Sequence, residues 1–182
     1  MNFYLKPILL VFPFGLLSHY LRCLVVAMEL RKVFNIMFAH HPKYHKFVAA
    51  EGFDTFHCAS MNEDEVMAKA KLFDFSWISE QTLEPAFLAQ AAAIEKYRPV
   101  AVLGDAMPSL KMAAEFTGVT YLSLLNTYMS KYYAGGRTIS KTHPMYEYLS
   151  VLPASVGQFL IEKGEAIAFR KIHQPFKRLR TK

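Results

Sequence analysis

Apolar positions change their period early in the chain. Ile8–Phe12 form an unbroken apolar run between Pro7 and Pro13, the pattern of a strand buried on both faces. From Ser18 onward, Leu21, Leu24, Val25 and Met28 recur at i, i+3, i+4 and i+7. This spacing predicts a helix with those four residues on one face and Ser18 as its N-cap. Val33–Phe38 reads as a second strand, Pro42 to Glu51 as a short helix closed by Gly52, and Phe53–His57 as a third strand. Residues 59–78 are the least regular. Their acidic cluster, Glu63, Asp64 and Glu65, suits a helix start, where the dipole favours negative charge.

The same alternation continues. A long helix is expected from Ser79 to Tyr97, with Leu83, Phe87, Ala91 and Ile94 on one face and Arg98-Pro99 ending it. Val100–Leu103 is again strand-like. Pro108 suits the first turn of a helix that reaches Thr117 and stops at Gly118, and Val119–Leu125 is a further strand. Strands alternating with helices over short connections predict an α/β fold, a parallel sheet with helices on both faces. After Asn126 the pattern weakens, and tyrosines 128, 132, 133, 146 and 148 fall where binding loops are expected. A helix resumes near Pro153 and runs to about Lys171, and Pro175 is expected to break or kink the remaining segment.

Residues 1–152 therefore read as one α/β domain and residues 153–182 as a helical extension with a basic tail. In the extension, Val156, Phe159, Leu160 and Ile167 form a stripe that Ile172, Phe176 and Leu179 continue, with basic residues between. The stripe reads as a surface packing on protein outside this chain; weak contact with a membrane surface is the alternative.

Composition narrows the classes. The 182 residues are 53% apolar and 20% charged, which excludes a disordered chain and leaves one domain, or one with an extension. The net charge of +6 lies in the tail: Arg170, Lys171, Lys177, Arg178, Arg180 and Lys182 come after the last acid, Glu165. A basic nucleic-acid-binding domain is thereby excluded. The apolar N-terminal region is interrupted by Lys6, Pro7, Pro13, Gly15, His19, Arg22 and Glu29. Its longest stretch without charge or histidine, Pro7 to Ser18, falls short of the roughly 20 residues of a membrane span, and no small-residue cleavage pattern comes after it. Cys23 and Cys58 form no CxxC, no zinc spacing and no disulfide framework, which fits a reducing, cytoplasmic setting.

In open α/β sheets ligands bind beyond the carboxyl ends of the strands. That rule brings together the turn Pro13–His19, the stretch Gly104–Pro108 and the stretch Asn126–Lys131. The turn FPFGLLSH is neither GxGxxG nor a Walker A loop, and GxSxG is absent, so dinucleotide, P-loop and hydrolase-elbow chemistries lose their support. Gly15 permits a close backbone approach, and the helix start at Ser18–His19 offers N–H groups to an anion. His19 and Asp105 fall on the same rim. A carboxylate on one ring nitrogen would leave the other as a base toward a hydroxyl; alternatively, His19 caps a helix and Asp105 starts a turn. His40, His41 and His45 have no acidic residue nearby in sequence and read as solvent-exposed; no metal site is expected.

FPFGLLSHYLRCLVVAMEL, followed by a second strand, resembles the opening of GT-B glycosyltransferases of the UDP-glycosyltransferase and macrolide-glycosyltransferase type. VAVLGDAMPSLKMAAEFTGVTYLSLLN is similar to their later pattern of strand, aspartate, helix with paired alanines, glycine and strand. The resemblance covers most of residues 7–130. It implies a Rossmann-like domain, the N-terminal, acceptor-binding half of GT-B, and a hexosyltransferase that is incomplete as this chain alone. His19 would be the general base and Asp105 its partner. The acceptor oxygen would displace a nucleotide diphosphate from the sugar, without a metal or other cofactor besides the nucleotide-sugar co-substrate. Gly15, Ser18, Asn126 and Tyr128 would help bind a small, hydrophobic acceptor.

Two departures stand out. The family's glycine-histidine pair before the second strand is missing, and nothing resembles the C-terminal half that holds the donor. The nucleotide-sugar would then reach the site through a missing C-terminal domain, on which the extension would pack, or through a partner subunit. Two other functions fit the same residues: a non-catalytic or regulatory subunit of a split glycosyltransferase, and a small-molecule-binding α/β domain with a membrane-touching tail.

Overall fold

The computed structural model describes residues 6–127, 130, 132, 133, 141 and 145–181. Strand β1 (Ile8–Pro13) is buried along nearly its whole length. Helix α1 (Leu17–Leu30) leads to β2 (Asn35–Ala39), α2 (His45–Ala50) and β3 (Asp54–Phe56). Then come α3 (Glu63–Lys71), α4 (Glu80–Tyr97), β4 (Ala101–Asp105), α5 (Leu110–Thr117), β5 (Thr120–Leu124), α6 (Tyr146–Ser150) and α7 (Ala154–Thr181). The strands form one parallel five-stranded sheet in the order β3-β2-β1-β4-β5, a Rossmann-like α/β arrangement.

Strand periodicity divides the core in two. Leu10, Phe12 and Val102 face one way and meet Val66 of α3, Leu83 and Ile94 of α4 and Leu110 of α5. Leu9, Val11 and Leu103 face the other way and meet Tyr20, Cys23, Leu24 and Ala27 of α1 and Val48 of α2. Both faces are covered, which is why β1 and the Ala101–Leu103 part of β4 are continuous apolar runs.

Several boundaries and one face differ from the sequence reading. Helix α1 buries Tyr20, Cys23, Leu24 and Ala27, while Leu21, Val25 and Met28 are exposed. Both sets have the same spacing, offset by one residue, so the pattern alone could not choose between them. Ser18 is not the N-cap. Leu16 holds that position without a side-chain bond, because a turn closed by Leu16 N–H on the Phe14 carbonyl starts the helix at Leu17. Strand β2 begins two residues later than Val33, because Val33 and Phe34 donate back to the Leu30 carbonyl. Helix α5 starts at Leu110 rather than Pro108.

Helix α7 continues through Pro175 to Thr181. Proline removes one helical hydrogen bond there, but tertiary contacts hold the segment. Phe176 and Leu179 pack on the core that α4 lines, Arg178 pairs with Glu80 at 3.2 Å, and Arg180 with Glu115 at 2.9 Å. Further up the helix, Val156, Phe159, Leu160, Ile167 and Phe169 are exposed.

Candidate functional site

The parallel register sets Pro13 of β1 beside Asp105 of β4, and the Phe14 N–H donates to the Asp105 carbonyl at 2.9 Å. The carboxyl rim of the sheet is thus fixed by backbone bonds. Asp105 is 1% exposed. The chain turns sharply after it: Ala106 has φ +55°, a left-handed conformation uncommon for a residue with a side chain. One residue before Asp105, a Cβ on Gly104 would stand 2.7 Å from Leu110 Cδ2, so only glycine lets α5 pack this close. Below the turn, the buried Ser109 hydroxyl donates to Gln90 of α4 at 2.9 Å.

His19, in the first turn of α1, places Nδ1 2.8 Å from Asp105 Oδ1. The Phe14 ring stands edge-on to its imidazole. Arg22, one turn further on the same helix face, reaches the same carboxylate with two donors: Nε to Oδ2 at 2.9 Å and Nη2 to Oδ1 at 2.7 Å. Its Nη2 also lies 2.9 Å from His19 Nδ1, and its Nη1 donates to Asn126 Oδ1 at 2.5 Å. Asn126 is therefore joined to the pair through Arg22, a residue the sequence reading counted only as an interruption of an apolar run. Cys23 lies nearby, and burial, then the Asp105 charge, push its thiol up to about 12. It is poorly suited to be a nucleophile.

The remaining sequence candidates are dispersed. Gly15 turns toward α3, where a Cβ would stand 3.0 Å from the Glu63 carboxyl carbon. Ser18 is exposed in the first turn of α1. Tyr128 lies outside the described residues.

A second histidine–carboxylate pair stands on the same rim. His41, just after β2, is 5% exposed, with Nε2 2.9 Å from Glu63 Oε1. The Lys43 backbone N–H donates to its Nδ1 at 3.2 Å, so Nε2 carries the proton given to Glu63. Both ring nitrogens are engaged, and the Tyr44 ring stacks on the imidazole. The reading of His41 as solvent-exposed and lacking an acidic partner is thus corrected. Its partner opens α3 and is close only in space. Burial, the largest influence, pushes the Glu63 carboxyl up. Its own backbone bond, His41 and Lys43 outweigh burial and hold it below the ordinary value. Asn62 caps the same helix by accepting from the N–H groups of Asp64 and Glu65.

Next to Arg22 an apolar groove of about 430 Å³ is lined by Leu21, Val25, Val26, Leu124 and Leu125. A cleft of about 500 Å³ at the opposite ends of β4 and β5, around Pro99 and Gly118, is remote from the rim where such sheets bind ligands. Among the described residues no three or more His, Cys, Asp or Glu side chains could hold a metal ion, and no helix is long and apolar enough to cross a membrane.

The fold is shared with antibiotic glycosyltransferases of GT-B type. The structure of the spinosyn forosaminyltransferase SpnP superposes with a TM-score of 0.51 at 17% identity, over 85% of this chain and 38% of that one. The glycotransferase of kitacinnamycin gives 0.53 at 15% identity, over 93% and 41%. SsfS6, a glycosyltransferase from Streptomyces sp. SF2575, gives 0.53 at 14% identity, over 65% and 39%. This chain thus spans well under half the length of these solved structures. The sequence itself matches no protein-family model and no curated protein.

Proposed function

We propose that this chain is the acceptor-binding half of an inverting glycosyltransferase that moves a hexosyl group from a nucleotide-sugar to an acceptor hydroxyl. The 2.8 Å approach of His19 Nδ1 to the buried Asp105 carboxylate, at the carboxyl rim of a glycosyltransferase fold, carries the reading. In the reacting form Nδ1–H donates to Asp105 and Nε2 takes the acceptor's hydroxyl proton. The acceptor oxygen then forms its bond to the anomeric carbon from the face opposite the leaving group. The bond from that carbon to the diphosphate oxygen breaks, and the nucleotide diphosphate leaves with the electron pair. Asp105 offsets the charge of the imidazolium.

The reaction needs no metal in this scheme, and the nucleotide-sugar is a co-substrate. The apolar groove beside Arg22 supports a small hydrophobic acceptor, and Asn126 stands next to it through its bond to Arg22. The donor belongs to a C-terminal domain or partner subunit, for which the exposed stripe of α7 offers a surface. Two cysteines outside any disulfide favour the cytoplasm.

One observation favours a non-catalytic subunit instead: Arg22 already satisfies both oxygens of Asp105. Reconstitution separates the two readings. The chain is combined with a donor-binding domain encoded downstream or co-purifying with it, and transfer from the nucleotide-sugar is measured. His19→Ala is expected to lower turnover about 10²–10⁴-fold with the fold intact. Unchanged turnover removes the base assignment. By itself the chain is expected to show no tight nucleotide-sugar binding by calorimetry, and micromolar affinity would overturn the half-enzyme reading.

A further inference from the structure

Nδ1 of His19 has two claimants. A carboxylate only accepts hydrogen bonds and a guanidinium only donates them. With a proton, Nδ1 serves Asp105 Oδ1 at 2.8 Å; without one, it serves Arg22 Nη2 at 2.9 Å. The choice fixes the other nitrogen, because a neutral imidazole carries a single proton. If Nδ1 accepts from Arg22, the proton sits on Nε2, and the nitrogen that should act as base has no lone pair to offer.

Two features favour Arg22 in this contest. Asp105 already receives Nε and Nη2 of Arg22 on its two oxygens, so the buried carboxylate does not depend on the imidazole for a partner. A guanidinium at hydrogen-bond distance from Nδ1 also opposes a proton on that nitrogen, against the carboxylate at 2.8 Å that favours one. The guanidinium is tethered in turn. Its Nη1 donates to Asn126, just beyond the end of β5, so the position of that backbone bears on which partner Nδ1 takes.

We propose that Arg22 is a positioning residue that contests Asp105 for His19 Nδ1 and draws the proton of the neutral ring onto Nε2. His19 then becomes a base when the guanidinium gives up Nδ1. The consequence for catalysis rests on the proposed role of His19; the contest for Nδ1 does not.

The test reads the ring proton directly. Long-range proton–nitrogen correlation spectra are recorded on the ¹⁵N-labelled 182-residue chain, above the pH range in which imidazole titrates. The His19 signals are assigned by their loss in His19→Gln. In the unsubstituted chain, Nδ1 is expected to lie toward the unprotonated nitrogen range and Nε2 toward the protonated range. In Arg22→Met the two are expected to move in opposite directions, Nδ1 becoming protonated as it turns to Asp105. A fully protonated Nδ1 in the unsubstituted chain, or the same shifts in both proteins, overturns the proposal. If Arg22→Met does not fold, Arg22→Ala serves for the comparison, and the unsubstituted spectrum still decides by itself. A transfer assay insensitive to His19 would strike the base assignment and leave this result standing; a failed tautomer test would leave the dyad standing without its restraint.

Discussion

Gly15 and Glu63 face each other across the carboxyl rim so closely that a methyl group on the glycine would stand 3.0 Å from the glutamate's carboxyl carbon. The turn after β1 and the start of α3 are thereby packed together, and the close approach leaves Glu63 in reach of His41. Gly15→Ala is expected to displace the carboxylate, leave the buried imidazole without its acceptor, and lower stability by about 1–3 kcal/mol in urea denaturation. The same substitution made in a Glu63→Ala background is expected to cost less, because the Glu63 Cγ and carboxyl carbon it meets are gone and only the Cβ at 3.1 Å remains. Equal costs in both backgrounds would show that the contact does not govern the loss.

The acid limb of stability should report the same pair. Glu63 titrates below its ordinary value of 4.5 in the folded chain. Its contribution is therefore fully present above that value and is lost as pH falls through the lower, folded one. Unfolding free energy measured across acidic pH is expected to fall less steeply for Glu63→Gln than for the unsubstituted chain. An identical slope would remove Glu63 from the account.

The turn that presents Asp105 holds two opposite backbone constraints. Ala106 stands at φ +55°, and Ala106→Gly is expected to raise stability by about 1 kcal/mol, since glycine adopts that conformation without steric cost. Gly104→Ala is expected to lower it by about 1–3 kcal/mol, because the added methyl group meets the fully buried Leu110. Denaturation midpoints moving in the same direction for both would contradict this geometry.

The orientation of α1 can be tested one residue apart. Leu24→Ala removes a buried side chain and is expected to cost about 2–5 kcal/mol. Val25→Ala, at a position 65% exposed, is expected to stay within about 0.5 kcal/mol. Comparable losses at both sites would mean that the helix presents another face to the sheet.

Much of the sheet could be read from residue order, because β1 and the start of β4, Ala101–Leu103, are apolar without alternation and come after Pro7 and Arg98-Pro99. His19 and Asp105 could be placed on one rim because each lies at or just past the carboxyl end of a strand in a parallel sheet. The inner face of α1 was not legible, since Tyr20, Cys23, Leu24 and Ala27 have the same spacing as the stripe one residue later. The partnership of His41 with Glu63 depends on folding and left no local trace. Arg22 left one: it lies three residues after His19 on a helix, the spacing at which side chains share a face. Arg22 is also the single Lys or Arg within α1, and it faces a buried acid.

Pro13 and Asp105 are rungs of a single ladder, and the distance from the histidine to the aspartate is set by that ladder together with the short turn that follows it. Segments other than the short turn from Pro13 to His19 can lengthen, shrink or change sequence while the spacing stays as it is. Whatever such a chain comes to hold at that rim, the paired strand ends beneath it need not be rebuilt.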